Sequence, residues 1–274
     1  MGNTPSTSTS TSTPTSCYNF QKATLSERYQ YIMQMNEGRV DRFQVQHHIY
    51  REVLRSNFSA PITDTLKQGA SVLDLGCGPG MWVCEMATDY RASIFHGIDY
   101  HNIFPTQKPV NAQFIKANLL ERLPFKDANF DFVYIRSLVF AFKPDQYENV
   151  VLKEAIRMLR PNAFIEVIRT KLITNKMDPS ITLKMPSILY KYDKSLKRVR
   201  DQQIKINIGR FGGKIGEIQA DLCIRLLREE SKMIRGLFKL NAKEYEEFVE
   251  GFIKELNTHA VYMIWYKYWA QKKG

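Results

Sequence analysis

Apolar positions along the chain fall into short continuous runs separated by segments with helical spacing. Val72, Leu73 and Leu75 form the first run, Ser93–Ile98 the second, Ala112–Lys116 the third, Phe132–Ile135 the fourth and Phe164–Ile168 the fifth. Short, nearly uninterrupted apolar runs predict strands buried on both faces, as in a parallel sheet. Between them, Trp82–Asp89 puts Val83, Met86 and Ala87 on one side. Gln146–Leu159 does the same with Val150, Val151, Ala155, Ile156 and Leu159. Strand and helix alternating through four units make a parallel α/β sheet with right-handed crossovers the economical topology.

The flanks read differently. Residues 1–16 are almost entirely Ser and Thr with Pro5 and Pro14, and the tail to residue 22 is expected to be disordered. Residues 23–66 read as an N-terminal helical cap. Asp41 is placed to cap its main helix, with Phe43, Gln46, Ile49, Tyr50, Val53 and Leu54 on one face. Residues 67–274 form the main domain. Within it Ile181–Tyr192 can supply a crossover helix, and Gln203–Ile208 alternates as a sixth strand. Arg210–Gly216 reads as a loop before a helix over Glu217–Arg228. A further amphipathic helix, Lys243–Leu256, turns Tyr245, Phe248, Val249, Phe252 and Ile253 inward. Together they predict a helical insertion over about 215–257 that covers the site.

Composition adds modest limits. The 274 residues are 44% hydrophobic, which suits one domain with additions. No apolar run approaches the roughly 20 residues of a membrane span. Cys17, Cys77, Cys84 and Cys223 are scattered without a CxxC pair, so free thiols and no metal site are expected. The start of the chain lacks the marks of a secretory or transit peptide, and the expected location is cytoplasmic or nuclear. Met1-Gly2-Asn3-Thr4-Pro5-Ser6 matches an N-myristoylation pattern, although no basic residue precedes Lys22 and one acyl chain anchors only marginally. A net charge of +11, concentrated over Lys194–Lys214, permits nucleic acid as a partner without favouring it over a solvated face.

The chemistry centres on residues 71–80, Ser-Val-Leu-Asp-Leu-Gly-Cys-Gly-Pro-Gly. Dinucleotide folds require G-x-G-x-x-G after the strand; here the third glycine comes one residue too early, and no Gly-Lys-Ser/Thr completes a phosphate loop. Asp99 ends the second strand 25 residues after Asp74, near the roughly 20 at which Rossmann-type folds place a ribose-binding acid. Tyr100 can pack on a purine or stand as an ordinary half-buried Tyr. Asn118, just past the third strand, can read a base edge or close a surface turn. Arg136 ends the fourth strand. Ligands of open α/β sheets bind outside the carboxyl ends of the strands, so these four polar ends should converge on one crevice.

An acid two places before G-x-G-x-G resembles the cofactor loop of class I S-adenosylmethionine-dependent methyltransferases. More narrowly, the chain resembles the fungal LaeA-like group. The marks are Val-Asp-Arg-Phe-Gln-Val-Gln-His-His before the sheet, Leu-Asp-Leu-Gly-Cys-Gly-Pro-Gly-Met-Trp, Gly-Ile-Asp, Leu-Pro-Phe-Lys-Asp-Ala-Asn-Phe-Asp, and Leu-Arg-Pro before a strand. The resemblance implies a Rossmann-like, seven-stranded, mostly parallel α/β sheet with helices on both faces. Its last strand, over Val261–Trp269, would run antiparallel. It implies S-adenosyl-L-methionine as cofactor: Asp74, Gly76, Cys77, Gly78 and Gly80 around the methionine part, Asp99 and Tyr100 at the ribose and adenine, Asn118 and Leu119 at the adenine, and Arg136 at the floor near the sulfonium. Turn amides could meet the cofactor carboxylate while Asp74 attracts its ammonium. Two departures stand out: Pro161-Asn162-Ala163 where the family has Pro-Gly-Gly, which calls for another turn form, and a short stretch after Ile168.

Methyl transfer needs no dedicated catalytic residue; His47, His101 or Tyr29 could act as a base, and the residues do not choose among them. The acceptor, a small molecule or a protein, stays open. The absence of an Asn-Pro-Pro-Tyr-type tetrapeptide after strand four argues against base amino-methylation. The alternative is a regulatory protein that binds the cofactor and a partner protein without turnover.

Overall fold

The structure is a computed structural model and describes residues 39–138, 142, 144–173 and 189–274. The Ser/Thr tail, Gly2, Tyr29, Cys17 and most of the stretch read as a crossover helix over 181–192 lie outside the described residues.

The chain enters through helices α1 (Arg39–Leu54) and α2 (Thr63–Gln68). There follow β1 (Ser71–Leu75), α3 (Met81–Asp89), β2 (Ile94–Asp99), β3 (Ala112–Lys116) and β4 (Phe130–Arg136). A helical run, α4, joins Pro144–Gln146, a π-helical segment Tyr147–Leu152 and Lys153–Met158. Then come β5 (Leu159–Ile173), β6 (Leu196–Ile208), α5 (Gly213–Glu229), α6 (Ser231–Phe238), α7 (Ala242–Thr258) and β7 (Val261–Lys272). The strands form one seven-stranded sheet in the order β3-β2-β1-β4-β5-β7-β6. The neighbouring pairs from β3 to β5 are parallel, and β7 is antiparallel to both β5 and β6. The expected architecture is therefore the one observed.

Period-two alternation divides the sheet residues between two cores. Val72, Phe132 and Tyr134 face one core with Ile49, Trp82 and Phe95. Leu73, Val133 and Ile135 face the other with Val151, Ala155 and Ile165. Trp82 stacks on Tyr134 at 4.1 Å and 6° and donates its indole N–H to the Asn57 carbonyl at 2.8 Å, pinning α3 beneath the segment after α1.

Several boundaries differ from expectation for identifiable reasons. β5 and β6 extend beyond the apolar runs 164–168 and 203–208, because their ladders with β7 are made by backbone groups and do not require an apolar side chain at every position. α1 begins at Arg39, so Asp41 lies inside its first turn and is not its cap; the helix rests on its buried face. Asn162 alone takes the left-handed conformation (φ 64°), so Ala163 is spared it where β5 bulges against β4. The predicted loop 210–216 is a 3₁₀ turn, Gly209–Gly212, running straight into α5; a Cβ on Gly212 would strike the Asn207 carbonyl. The helices α5, α6 and α7 fill the interval between β6 and β7. Asn241 and Glu244 form a reciprocal capping box at the start of α7. Among the described residues no helix is long and apolar enough to cross a membrane.

Candidate active site

A cavity of about 620 Å³ lies at the carboxyl ends of β1–β4, roofed by α1, α5 and α7. Small-molecule sites span roughly 300–1,000 Å³. Asp74, Gly76, Cys77, Gly78, Asp99, Tyr100, Asn118, Leu119 and Arg136 all line it. Gly80 does not. Its φ of +79° starts α3, and a Cβ there would enter the Phe114 ring, so Gly80 shapes the loop from behind.

The loop amides are committed within the fold. Gly76 and Cys77 donate to the Ile98 carbonyl at 2.8 and 2.9 Å, Gly80 to the Cys77 carbonyl at 3.0 Å, and Gly78 to Asp99 Oδ2 at 2.9 Å. The expectation that these amides face a ligand is corrected accordingly: the loop offers the cavity shape, and its donors hold β2 in place. Asp74 is the opposite case. It is buried, and its carboxylate accepts no hydrogen bond from the described residues. Burial pushes its pKa up to about 7, with Arg136 opposing and Asp99 adding to the rise.

Asp99 is clamped at both oxygens, by the Gly78 amide and by the His101 amide at 2.9 Å. Each oxygen keeps a further lone pair. The Asn118 side chain is occupied in its own turn: Oδ1 accepts from the Leu120 amide at 3.1 Å and Nδ2 donates to Glu121 at 3.0 Å. The surface-turn alternative therefore describes its side chain, while Asn118 and Leu119 remain on the cavity wall.

Beneath the cavity lies a polar chain that the sequence did not announce. Arg136 Nη2 donates to His47 Nδ1 at 3.0 Å, and His47 Nε2 donates to Glu85 at 2.6 Å. Arg51 pairs with the other Glu85 oxygen at 2.8 Å. Burial lowers the His47 pKa and keeps the ring neutral, which suits this tautomer. Burial alone would raise Glu85, but the His47 hydrogen bond and the Arg51 charge bring it down to about 2. The Arg136 guanidinium also lies 4.7 Å over the Tyr50 ring, whose hydroxyl shares a 2.6 Å hydrogen bond with Ser137. Both His47 nitrogens are thus engaged. Of the other candidate bases, His101 stands on the exposed rim.

The far wall comes from α5 (Gln219, Leu222, Cys223, Leu226), α7 (Phe248, Phe252) and Met263 of β7. The Arg42–Glu229 ion pair, 2.8 Å, fastens α1 to α5 beside it. Sequence patterning marked these helices as amphipathic but not which inward residues would reach a ligand.

Comparison with known proteins agrees with this geometry. Residues 72–162 match a family model described as a methyltransferase domain. Methyltransferase str2 of Strobilurus tenacellus is 33% identical over 100 residues, 36% of this chain and 35% of that protein. Secondary metabolism regulator LAE1 of Cochliobolus heterostrophus is 31% identical over 85 residues, 31% of this chain and 28% of that protein. The chain thus matches about a third of the length of these two curated relatives. Among solved structures, Haemonchus contortus phosphoethanolamine N-methyltransferase 2, in complex with S-adenosyl-L-methionine, aligns with a TM-score of 0.51 at 15% identity. The alignment covers 95% of this chain and 61% of that one and shows a likeness of fold. The resemblance to class I methyltransferases, and to the LaeA-like group among them, is borne out.

Proposed function

From the premise of a class I fold whose residues 72–162 match the methyltransferase domain family, we propose that the protein binds S-adenosyl-L-methionine in this cavity and directs its methyl group to an acceptor. The bound sulfonium supplies an activated methyl group, and the chain holds, orients and keeps water out. Asp74 meets the ammonium: a buried carboxylate with no donor among the described residues is completed by a cation. Asp99, fixed by two amides, offers its remaining lone pairs to the ribose hydroxyls. The turn at Asn118 sets Leu119 against the adenine, with Tyr100 flanking it. Arg136 forms the floor, and His47 is a positioning residue that holds Arg136 through the Glu85 chain. Residues 67–274 act as the catalytic domain, with α1 and the insertion as its cap.

The observation that carries this reading is the convergence of Asp74, Asp99, Asn118 and Arg136, from four separate strand ends, on one cavity. Calorimetric titration with S-adenosylmethionine and S-adenosylhomocysteine tests it. One-to-one binding is expected, weakened about 100-fold by Asp99→Ala, of the order of two charge-assisted hydrogen bonds. Absence of binding to the intact protein overturns the reading.

A second reading, a cofactor-binding regulator without turnover, is favoured by the engagement of both His47 nitrogens and by the regulator name carried by LAE1. Cofactor binding with no methyl transfer to any acceptor class, together with a stoichiometric protein partner, would favour this second reading.

A further inference from the structure

Two arginines line the cavity, Arg136 in its floor and Arg42 on α1 in its roof. Arg136 is held down: Nη2 donates to His47, and the guanidinium lies 4.7 Å from the centre of the Tyr50 ring and 5.8 Å from that of Tyr134. Arg42 is held at one nitrogen only. Its Nε donates to Glu229 Oε2 at 2.8 Å, and its guanidinium lies 4.6 Å over the Phe43 ring. Nη1 and Nη2 have no hydrogen-bond partner among the described residues, and neither is sealed from solvent, although the side chain is only 7% exposed. A guanidinium carries five N–H donors in a planar fork, so those on Nη1 and Nη2 stand open here. Phe43 fixes where they stand. A Cβ on Gly78 would meet its ring at 4.0 Å, which puts Phe43, and Arg42 upon it, beside the glycine loop.

The loop beneath has no amide to offer: those of Gly76, Cys77, Gly78 and Gly80 are all bonded within the fold. An amino-acid carboxylate arriving beside Asp74 therefore needs a donor from elsewhere, and a buried carboxylate left without one is costly. We propose that Arg42 is that donor: Nη1 and Nη2 take the carboxylate of the cofactor while Nε keeps Glu229, so that one guanidinium bridges the cofactor and the end of α5. The assignment rests on the cofactor reading above and adds a coupling to it. Because α5 carries Leu222, Cys223 and Leu226 into the cavity, cofactor binding fastens the wall opposite the glycine loop. A ligand without the carboxylate occupies the cavity and leaves that wall unfastened.

The probe is decarboxylated S-adenosylmethionine, which keeps both the sulfonium and the ammonium. In calorimetry on the full chain, S-adenosylmethionine should bind about 20-fold more tightly than this probe, of the order of charge-assisted hydrogen bonds to one guanidinium. Arg42→Gln and Arg42→Met should each cut that preference to about twofold or less. Both should bind 5′-methylthioadenosine, which lacks the whole amino-acid end, as the natural chain does. Glu229→Ala should keep the preference and lose the coupling, which hydrogen exchange reads. In the natural chain S-adenosylmethionine should slow exchange of the α5 amides beyond the effect of the decarboxylated probe, and in Glu229→Ala it should not. Equal affinity for the two ligands, a preference that survives both Arg42 variants, loss of 5′-methylthioadenosine binding in both, or equal slowing of α5 by the two ligands overturns the inference and leaves the cofactor reading standing. Failure of all these ligands to bind the natural chain overturns both.

Discussion

The glycine-loop side of the cavity and the α5/α7 side are held by different forces. On the loop side, short backbone hydrogen bonds fix each group: Gly76, Cys77 and Gly80 to carbonyls, Gly78 and His101 to Asp99. On the helical side, position comes from side-chain packing among Leu222, Phe252 and Met263 and from the Arg42–Glu229 pair. Backbone geometry tolerates almost no substitution, whereas a packed wall admits volume-conserving exchange. One side is suited to a ligand that does not change, the other to one that can.

The largest expected effect probes that rigidity. Gly80→Val combines a positive φ with a Cβ inside the Phe114 ring and should destabilise the fold by about 3–5 kcal/mol in urea unfolding. A loss below about 1 kcal/mol would mean that the loop is as adaptable as the helical wall, and the contrast would fail.

A smaller effect reads the charge at the same loop. With Asp74 raised to about 7, the free protein carries a proton there below that pH, and a bound ammonium must displace it. S-adenosylmethionine affinity should therefore rise by roughly tenfold per pH unit as pH increases toward 7 and then level off. Between pH 5.5 and 7.5 the gain is about 25-fold, and Asp74→Asn should abolish the slope. A flat profile in the natural chain would separate Asp74 from the ammonium.

The smallest effect uses Glu166, outside both walls, as a reference. Its Oε2 accepts from the Ser59 and Ala60 amides at 2.7 and 2.8 Å, and burial raises its pKa from 4.5 to about 7. The folded state then holds a proton that the unfolded state has released, so stability is greatest at low pH and declines as pH rises from about 4.5 through 7. We expect unfolding free energy to fall by about 1–2 kcal/mol from pH 6 to pH 8 on this account, and Glu166→Gln to flatten that slope without altering cofactor affinity. A slope unchanged in the variant would place its source elsewhere, Asp74 first.

What was legible in the sequence follows the same division. The parallel strands and their polar ends could be read because each signal is local: an apolar run, an acid, a glycine spacing. Asp74, Asp99 and Arg136 needed only the rule that strand ends converge. The His47–Glu85–Arg136 chain was not legible, because its members lie 38 and 89 residues apart and each looks like an ordinary polar helix or strand-end residue. Arg42 was hidden similarly: near the start of a helix a lone Arg says nothing until Glu229, 187 residues later, is seen beside it. Gly80 was misassigned to the ligand because spacing cannot tell a glycine that faces a cofactor from one that makes room for Phe114. The extents of β5 and β6 were underestimated because apolar patterning reports burial, whereas backbone pairing with β7 sets where each strand ends.

The strand order has a consequence for how the molecule is made. Among the described residues β6 pairs only with β7, and β7 lies between β6 and β5. Until residues 261–272 have left the ribosome, β5 and β6 each present an open edge, and α5 and α7 have no completed sheet to pack against. The helical wall of the cavity therefore cannot be set before β7 is made, and it depends on a strand distant in sequence from the glycine loop it faces. Nascent chains lacking β7 should be clients for chaperones that shield strand edges, and the site becomes whole only once β7 has been made.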